Sequence, residues 1–125
     1  MSQLSNVTVI LPSLDPDDKL LTVIDGLLQY GFTDIILVND GSKKENLHYF
    51  EEAAAHTEVE LLHHEVNRGK GAALKTAMTF FLDNRPEQAG VVTADADGQH
   101  LAADIAAVAA AMHEQDRIVF GVRDF

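Results

Sequence analysis

The sequence predicts an α/β domain, a mostly parallel twisted sheet with helices on both faces. Two observations predict it. Short, almost purely apolar runs alternate with longer segments whose apolar residues recur at helical spacing. The polar, chemistry-bearing clusters each follow one of the apolar runs, where a parallel sheet collects its ligands.

The elements follow in order. Val7 to Leu11 is a buried strand closed by Pro12. Asp15-Pro16-Asp17-Asp18 then offers an Asp cap with Pro inside the first helical turn. Leu20, Leu21, Ile24, Leu27 and Leu28 form one face of that helix, and Gly31 ends it. Asp34 to Asn39 is the second strand. Asp40-Gly41-Ser42 is a turn, with Ser42 as cap of a helix reaching about His56. Val59 to His63 is a third strand. A glycine-rich loop, Asn67 to Gly71, leads to a helix over Ala72 to Leu82 with Leu74, Ala77, Met78 and Phe81 inward. Gly90 to Ala94 is the fourth strand. The alanine-rich stretch from Ala102 to Met112 is a strong helix former, and Ile118 to Gly121 is the fifth strand.

Composition narrows the functional classes. A length of 125 residues with 46% hydrophobic content supports one core and one domain, residues 1–125. Twenty acidic side chains against nine basic ones give a net charge of -11, which disfavours nucleic-acid partners and favours cations. There is no Cys, so disulfide and thiolate chemistry are excluded. No signal peptide and no apolar run long enough to span a bilayer is visible, so the expected location is cytoplasmic.

Four polar clusters sit at expected strand ends: Pro12-Ser13-Leu14-Asp15, Asn39-Asp40-Gly41-Ser42, Asn67-Arg68-Gly69-Lys70-Gly71 and Asp95-Ala96-Asp97. Asp95 and Asp97 are the most informative pair. Residues i and i+2 of an extended chain point the same way, and the small Ala96 leaves room between them. Two carboxylates so placed suit a hard cation, Mg²⁺ or Mn²⁺, shared with substrate phosphates; a solvated acidic turn is the plainer alternative. Asp40 can accept hydrogen bonds from a nucleobase or a ribose, although an Asp-Gly turn needs no ligand. Arg68 and Lys70 can bring two cations and a helix N-terminus to an anion, or be solvated while the glycines serve the turn. His100 either meets a metal or phosphate or helps cap the helix that follows. His63 and His64 end the third strand with one pointing inward, and structural roles are expected for both. No nucleophile elbow, P-loop or dinucleotide fingerprint is present.

Taken in order, these segments resemble family 2 glycosyltransferases of the GT-A (nucleotide-diphospho-sugar transferase, Rossmann-like) fold, among them the dolichyl-phosphate mannose synthase-like enzymes. The carriers are Val9 to Leu14, Ile36 to Ser42, Asn67 to Leu74 and Thr93 to His100, with Gly121 to Phe125 resembling the next family segment. The resemblance covers essentially the whole chain. It implies a nucleotide-diphosphate sugar donor, UDP- or GDP-linked. Pro12, Ser13, Leu14 and Asp15 would line the nucleotide pocket, Asp40 would contact base or ribose, and Lys70 would lie near the nucleotide. Asp95 and Asp97 would be the metal motif, the cation bridging the diphosphate. Transfer would go to a hydroxyl or lipid-phosphate acceptor, usually with inversion, in cell-wall or glycolipid biosynthesis.

Three departures are visible. Leu14-Asp15-Pro16-Asp17 replaces the family's acidic segment, with Asp15 and Asp17 both open candidates for its role. Asn39 stands where many members carry a second Asp. The chain ends before the region that usually supplies the catalytic base and acceptor site, so that base is expected beyond Phe125. The chain accordingly reads as truncated, the donor half of a longer enzyme whose remainder carries acceptor specificity or membrane association. A noncatalytic donor-binding or assembly module is the alternative. A nucleotidyltransferase lacks its glycine-rich first loop here, and a receiver-type signalling domain lacks its lysine after the fifth strand. An exposed sheet edge near the carboxyl terminus also makes a homo-oligomer an expectation.

Overall fold

The structure, a computed structural model, describes residues 6–88 and 90–94 and the backbone of the strand at 118–121. Five parallel strands form one sheet: β1 (Val7–Ser13), β2 (Ile35–Asp40), β3 (Val59–His64), β4 (Gly90–Thr93) and β5 (Ile118–Gly121), in the order β3-β2-β1-β4-β5. Three helices are described: α1 (Lys19–Tyr30), α2 (Leu47–Ala54) and α3 (Lys70–Asn84). The predicted alternation and the parallel sheet are therefore present. The expected helix over Ala102 to Met112 lies outside the described residues.

The central strands β1 and β2 are buried on both faces because helices cover both. Alternation along β1 sends Val7, Val9 and Leu11 into one core and Ile10 into the other. In β2, Ile35 and Leu37 join the first core, Ile36 and Val38 the second. The first core is completed by Leu20, Ile24 and Leu27 of α1 and Phe50 and Ala53 of α2. The second is completed by Ala73, Ala77 and Phe81 of α3, spaced four residues apart along one helical stripe. The two alanines keep α3 close to the sheet, while burying Phe81 contributes on the order of 2–3 kcal/mol.

Two helix starts differ from the sequence expectation for one shared reason. Asp15 adopts a left-handed backbone, φ 47°, and is not a helix cap. Its carboxylate Oδ1 instead accepts the Lys43 N–H (2.7 Å) and the Asn46 side-chain amide (3.1 Å). Asp17 Oδ1 accepts the Lys19 N–H (2.9 Å), and α1 begins only there. Ser42 likewise caps no helix: its hydroxyl accepts the Asp15 N–H (2.8 Å), a single 3₁₀ turn follows at Lys44–Asn46, and α2 starts at Leu47 and ends at Ala54. Elsewhere the shifts are small. α3 begins two residues earlier than expected, at Lys70, and continues to Asn84.

At the amino ends of the strands, a polar chain ties distant segments together. Arg85 Nε donates to Asp34 Oδ2 (2.8 Å), which also accepts the Thr8 hydroxyl (2.6 Å), and Gln88 Nε2 donates to Thr8 Oγ1 (3.1 Å). The bond from Arg85 to Asp34 is the chief cause that raises the affinity of this guanidinium for its proton. Thr8 is fully buried. Replacing it with the isosteric Val removes its bonds to both Asp34 and Gln88. We expect Thr8→Val to lower stability by about 1–3 kcal/mol in urea unfolding, and an unchanged midpoint would contradict this role for the network.

Candidate functional site

The strand order reverses at β1: β2 and β3 lie on one side, β4 and β5 on the other. Loops at the carboxyl ends of the strands open a crevice beside such a reversal. A cavity of about 570 Å³ occupies this edge, within the size range of small-molecule sites. It is lined by Pro12 to Asp17, Lys19, Asp40, Asn67, Gly69, Lys70 and Ala73. Three of the four polar clusters read from the sequence thus meet at one cavity. Pro12, Ser13, Leu14, Asp15, Asp40 and Lys70 all line it. The fourth cluster, Asp95 and Asp97 with His100, lies outside the described residues. Among the described residues no group of three or more metal-ligating side chains occurs.

Asp40 lies at the base of this arrangement. It ends β2 and is only 4% exposed. Its Oδ1 accepts the Arg68 N–H (2.9 Å) and bonds His64 Nδ1 (2.8 Å), while Oδ2 accepts the Gly69 N–H (2.9 Å). Burial pushes its carboxyl upward in pKa. The bonds from Arg68, His64 and Gly69 outweigh that and hold it below the usual carboxylate range. The Arg68 and Gly69 amides, which lead into α3, are thus engaged by the Asp40 carboxylate. The sequence left Arg68 and Lys70 either paired at an anion or solvated, and the structure sets the two apart. Lys70 lines the cavity, whereas the Arg68 side chain lines a separate hollow with Ala72, Lys75, Thr76 and Thr79.

Asn39 is also turned to internal use. Its Oδ1 accepts the Ser42 N–H (2.9 Å) and its Nδ2 lies 3.1 Å from His63 Nδ1. His63 and His64 both bond within the protein, and His64 is the inward one. Gly41 makes the turn between these side chains possible. Its φ is +74°, and a Cβ there would collide with the backbone of Val66 and Asn67. The loop before α3 therefore rests directly on the turn after β2.

Sequence reasoning missed Lys19 and Ala73 as cavity-lining residues and named Asn67 only within its loop cluster. Lys19 was hidden because the helix was expected to start earlier, which would have placed it within the helix and not at its opening turn. Asn67 and Ala73 flank Lys70, and the glycine-rich loop was the available signal for them. The cavity wall holds three carboxylates, Asp15, Asp17 and Asp40, each accepting N–H donors of the protein. Lys19 and Lys70 supply its positive charge.

Comparison with known proteins adds an independent finding. Residues 8–125 match the model of the family described as Glycosyl transferase family 2. The chain is 30% identical over 99 residues to an uncharacterised protein of Methanocaldococcus jannaschii, covering 79% of this chain and 38% of that protein. It is 29% identical over 115 residues to the UDP-N-acetylglucosamine–dolichyl-phosphate N-acetylglucosaminyltransferase of Methanococcus voltae, covering 82% and 45% respectively. The chain spans less than half the length of these two relatives. No solved structure matches.

Two outcomes follow from the geometry. A carboxyl held low in the folded state contributes stability that is present above its unfolded value of about 3.9 and is lost as pH falls through the folded value. Asp40→Asn should therefore flatten the acid side of a stability–pH profile measured by urea unfolding, and parallel profiles would contradict the assignment. Gly41→Ala should destabilise by at least the ~1–3 kcal/mol of left-handed strain, and by more than Gly69→Ala, whose φ is also positive but whose Cβ would meet nothing. Equal losses at the two glycines would show that the contact with Val66 and Asn67 carries no weight.

Proposed function

The chain belongs to glycosyl transferase family 2, and from that premise we propose that it binds the nucleotide-diphosphate sugar of a glycosyl-transfer reaction. The observation that carries the reading is the meeting of Pro12 to Asp15, Asp40 and Lys70 at one cavity on the carboxyl edge of the sheet. An acceptor-rich floor beside apolar Pro12, Leu14 and Ala73 suits a nucleobase and ribose. The Lys19 and Lys70 ammonium groups suit phosphate oxygens. In this reading Asp40 accepts from the base or a ribose hydroxyl, and Pro12, Ser13, Leu14 and Asp15 form the facing wall.

The donor set for a cation is Asp95 and Asp97, which follow Ala94 in sequence. Two carboxylates separated by one small residue fit Mg²⁺ or Mn²⁺, a hard cation that would take further oxygen ligands from substrate phosphates. When bound, such a cation neutralises the diphosphate and stabilises its departure as leaving group. The protein's own part is to hold the nucleoside end in the cavity and bring the phosphates to this pair. The relative from Methanococcus voltae is named for UDP-N-acetylglucosamine and dolichyl phosphate. A UDP-sugar donor and a lipid-phosphate acceptor are therefore the first pair to test, with a GDP-sugar as the comparison donor.

Calorimetry with UDP and GDP, each with Mg²⁺, Mn²⁺ or chelator, tests the site. We expect one nucleoside diphosphate to bind with a gain of at least tenfold from metal, about 1.4 kcal/mol, and Asp97→Ala to remove most of that gain. Equal heats with metal and with chelator would overturn the metal assignment. Donor binding by the protein without transfer to any lipid phosphate or sugar acceptor would favour a noncatalytic donor-binding module.

A further inference from the structure

We propose that His64 is a positioning residue for the nucleoside part of the ligand, acting through Asp40. The proposal rests on the donor-site reading above and adds the device that orients its main acceptor. The side chains of His64 and Asp40 are 4% and 6% exposed and lie 2.8 Å apart, Nδ1 to Oδ1. An ionised carboxylate only accepts, so Nδ1 carries the proton. On its far side, His64 Nε2 lies 2.8 Å from the Thr76 hydroxyl of α3. The imidazole thus spans from β2 to α3 and fixes the plane of the carboxylate between them.

That plane decides what the cavity meets. A carboxylate offers about four acceptor positions. His64 and the Arg68 N–H fill those on Oδ1, and the Gly69 N–H fills one on Oδ2. One position on Oδ2 has no partner among the described residues, and Asp40 lines the cavity. Loss of the His64 bond leaves the carboxylate held by the Arg68 and Gly69 N–H groups alone, and its soft terminal torsion then shifts within that looser grip. The remaining acceptor then no longer holds one direction. A base N–H or ribose O–H requires that direction, whereas phosphate groups do not.

The chain is titrated with the preferred nucleoside diphosphate and, separately, with inorganic pyrophosphate, both with Mg²⁺. His64→Asn keeps an amide N–H donor at the place of Nδ1; His64→Gln keeps one only at the place of Nε2. We expect His64→Asn to bind the nucleoside diphosphate within about threefold of wild type and His64→Gln to bind it about tenfold more weakly. Pyrophosphate affinity stays constant throughout. Thr76→Val leaves both members of the buried pair in place and removes the far anchor of the imidazole; it should weaken nucleoside diphosphate alone by about threefold. Equal nucleoside diphosphate affinity in all variants overturns the role of His64 and leaves the donor site intact. Parallel loss of pyrophosphate overturns it in favour of general structural support. Absence of nucleoside diphosphate binding by the wild type overturns the donor-site reading itself, and this one with it.

Discussion

One buried carboxylate organises the carboxyl edge of the sheet. Asp40 stands at the end of β2, and the groups that satisfy it come from β3 and from the loop that leads into α3. Ionisation in a buried place is costly unless hydrogen bonds repay it, and here the backbone N–H groups of Arg68 and Gly69 and the His64 imidazole do so. The same bonds fix where α3 begins and how its loop lies over the sheet. Gly41 completes the constraint, because only a residue without Cβ lets the Val66–Asn67 backbone approach the turn so closely.

The two ends of the sheet are built for different purposes. At the amino ends, Arg85, Asp34, Thr8 and Gln88 satisfy one another. At the carboxyl ends, the polar groups of the loops hold each other in place yet enclose a cavity. Asp15 shows the cost of that arrangement. It occupies a left-handed backbone conformation that a non-glycine residue rarely adopts, and its carboxylate bridges to Lys43 and Asn46 on the facing loop. Strain of this kind is found where surrounding contacts over-determine a conformation, often beside a ligand.

Much of this was legible in the sequence because its signals are local. Apolar runs such as Ile35 to Val38 mark strands that are covered on both faces, and the polar residues that follow them mark the ligand edge. The convergence of the loops after β1, β2 and β3 followed from parallel topology alone. The helix starts were not legible, because Asp15 is held by residues some thirty positions away in the chain and so escapes its expected cap. Asp40 looked free for a ligand for the same reason: the amides that engage it belong to Arg68 and Gly69, and no local pattern reveals them. Lys19 entered the cavity wall only once the true start of α1 was known. Asp95 and Asp97, the most informative pair in the sequence, remain a reading from spacing and family resemblance.

The central claim is that the carboxyl edge around Asp40 receives a nucleoside diphosphate. Amide chemical-shift mapping by NMR, with UDP or GDP added in Mg²⁺, tests it most directly. The account requires the perturbed amides to cluster at Ser13 to Asp15, Asp40 to Ser42, Arg68 to Lys70 and Asp95 to Asp97, with Asp34, Arg85 and Gln88 unmoved. Perturbations centred on the amino-end residues, or none on the Asp40 side at saturating nucleotide, would contradict it.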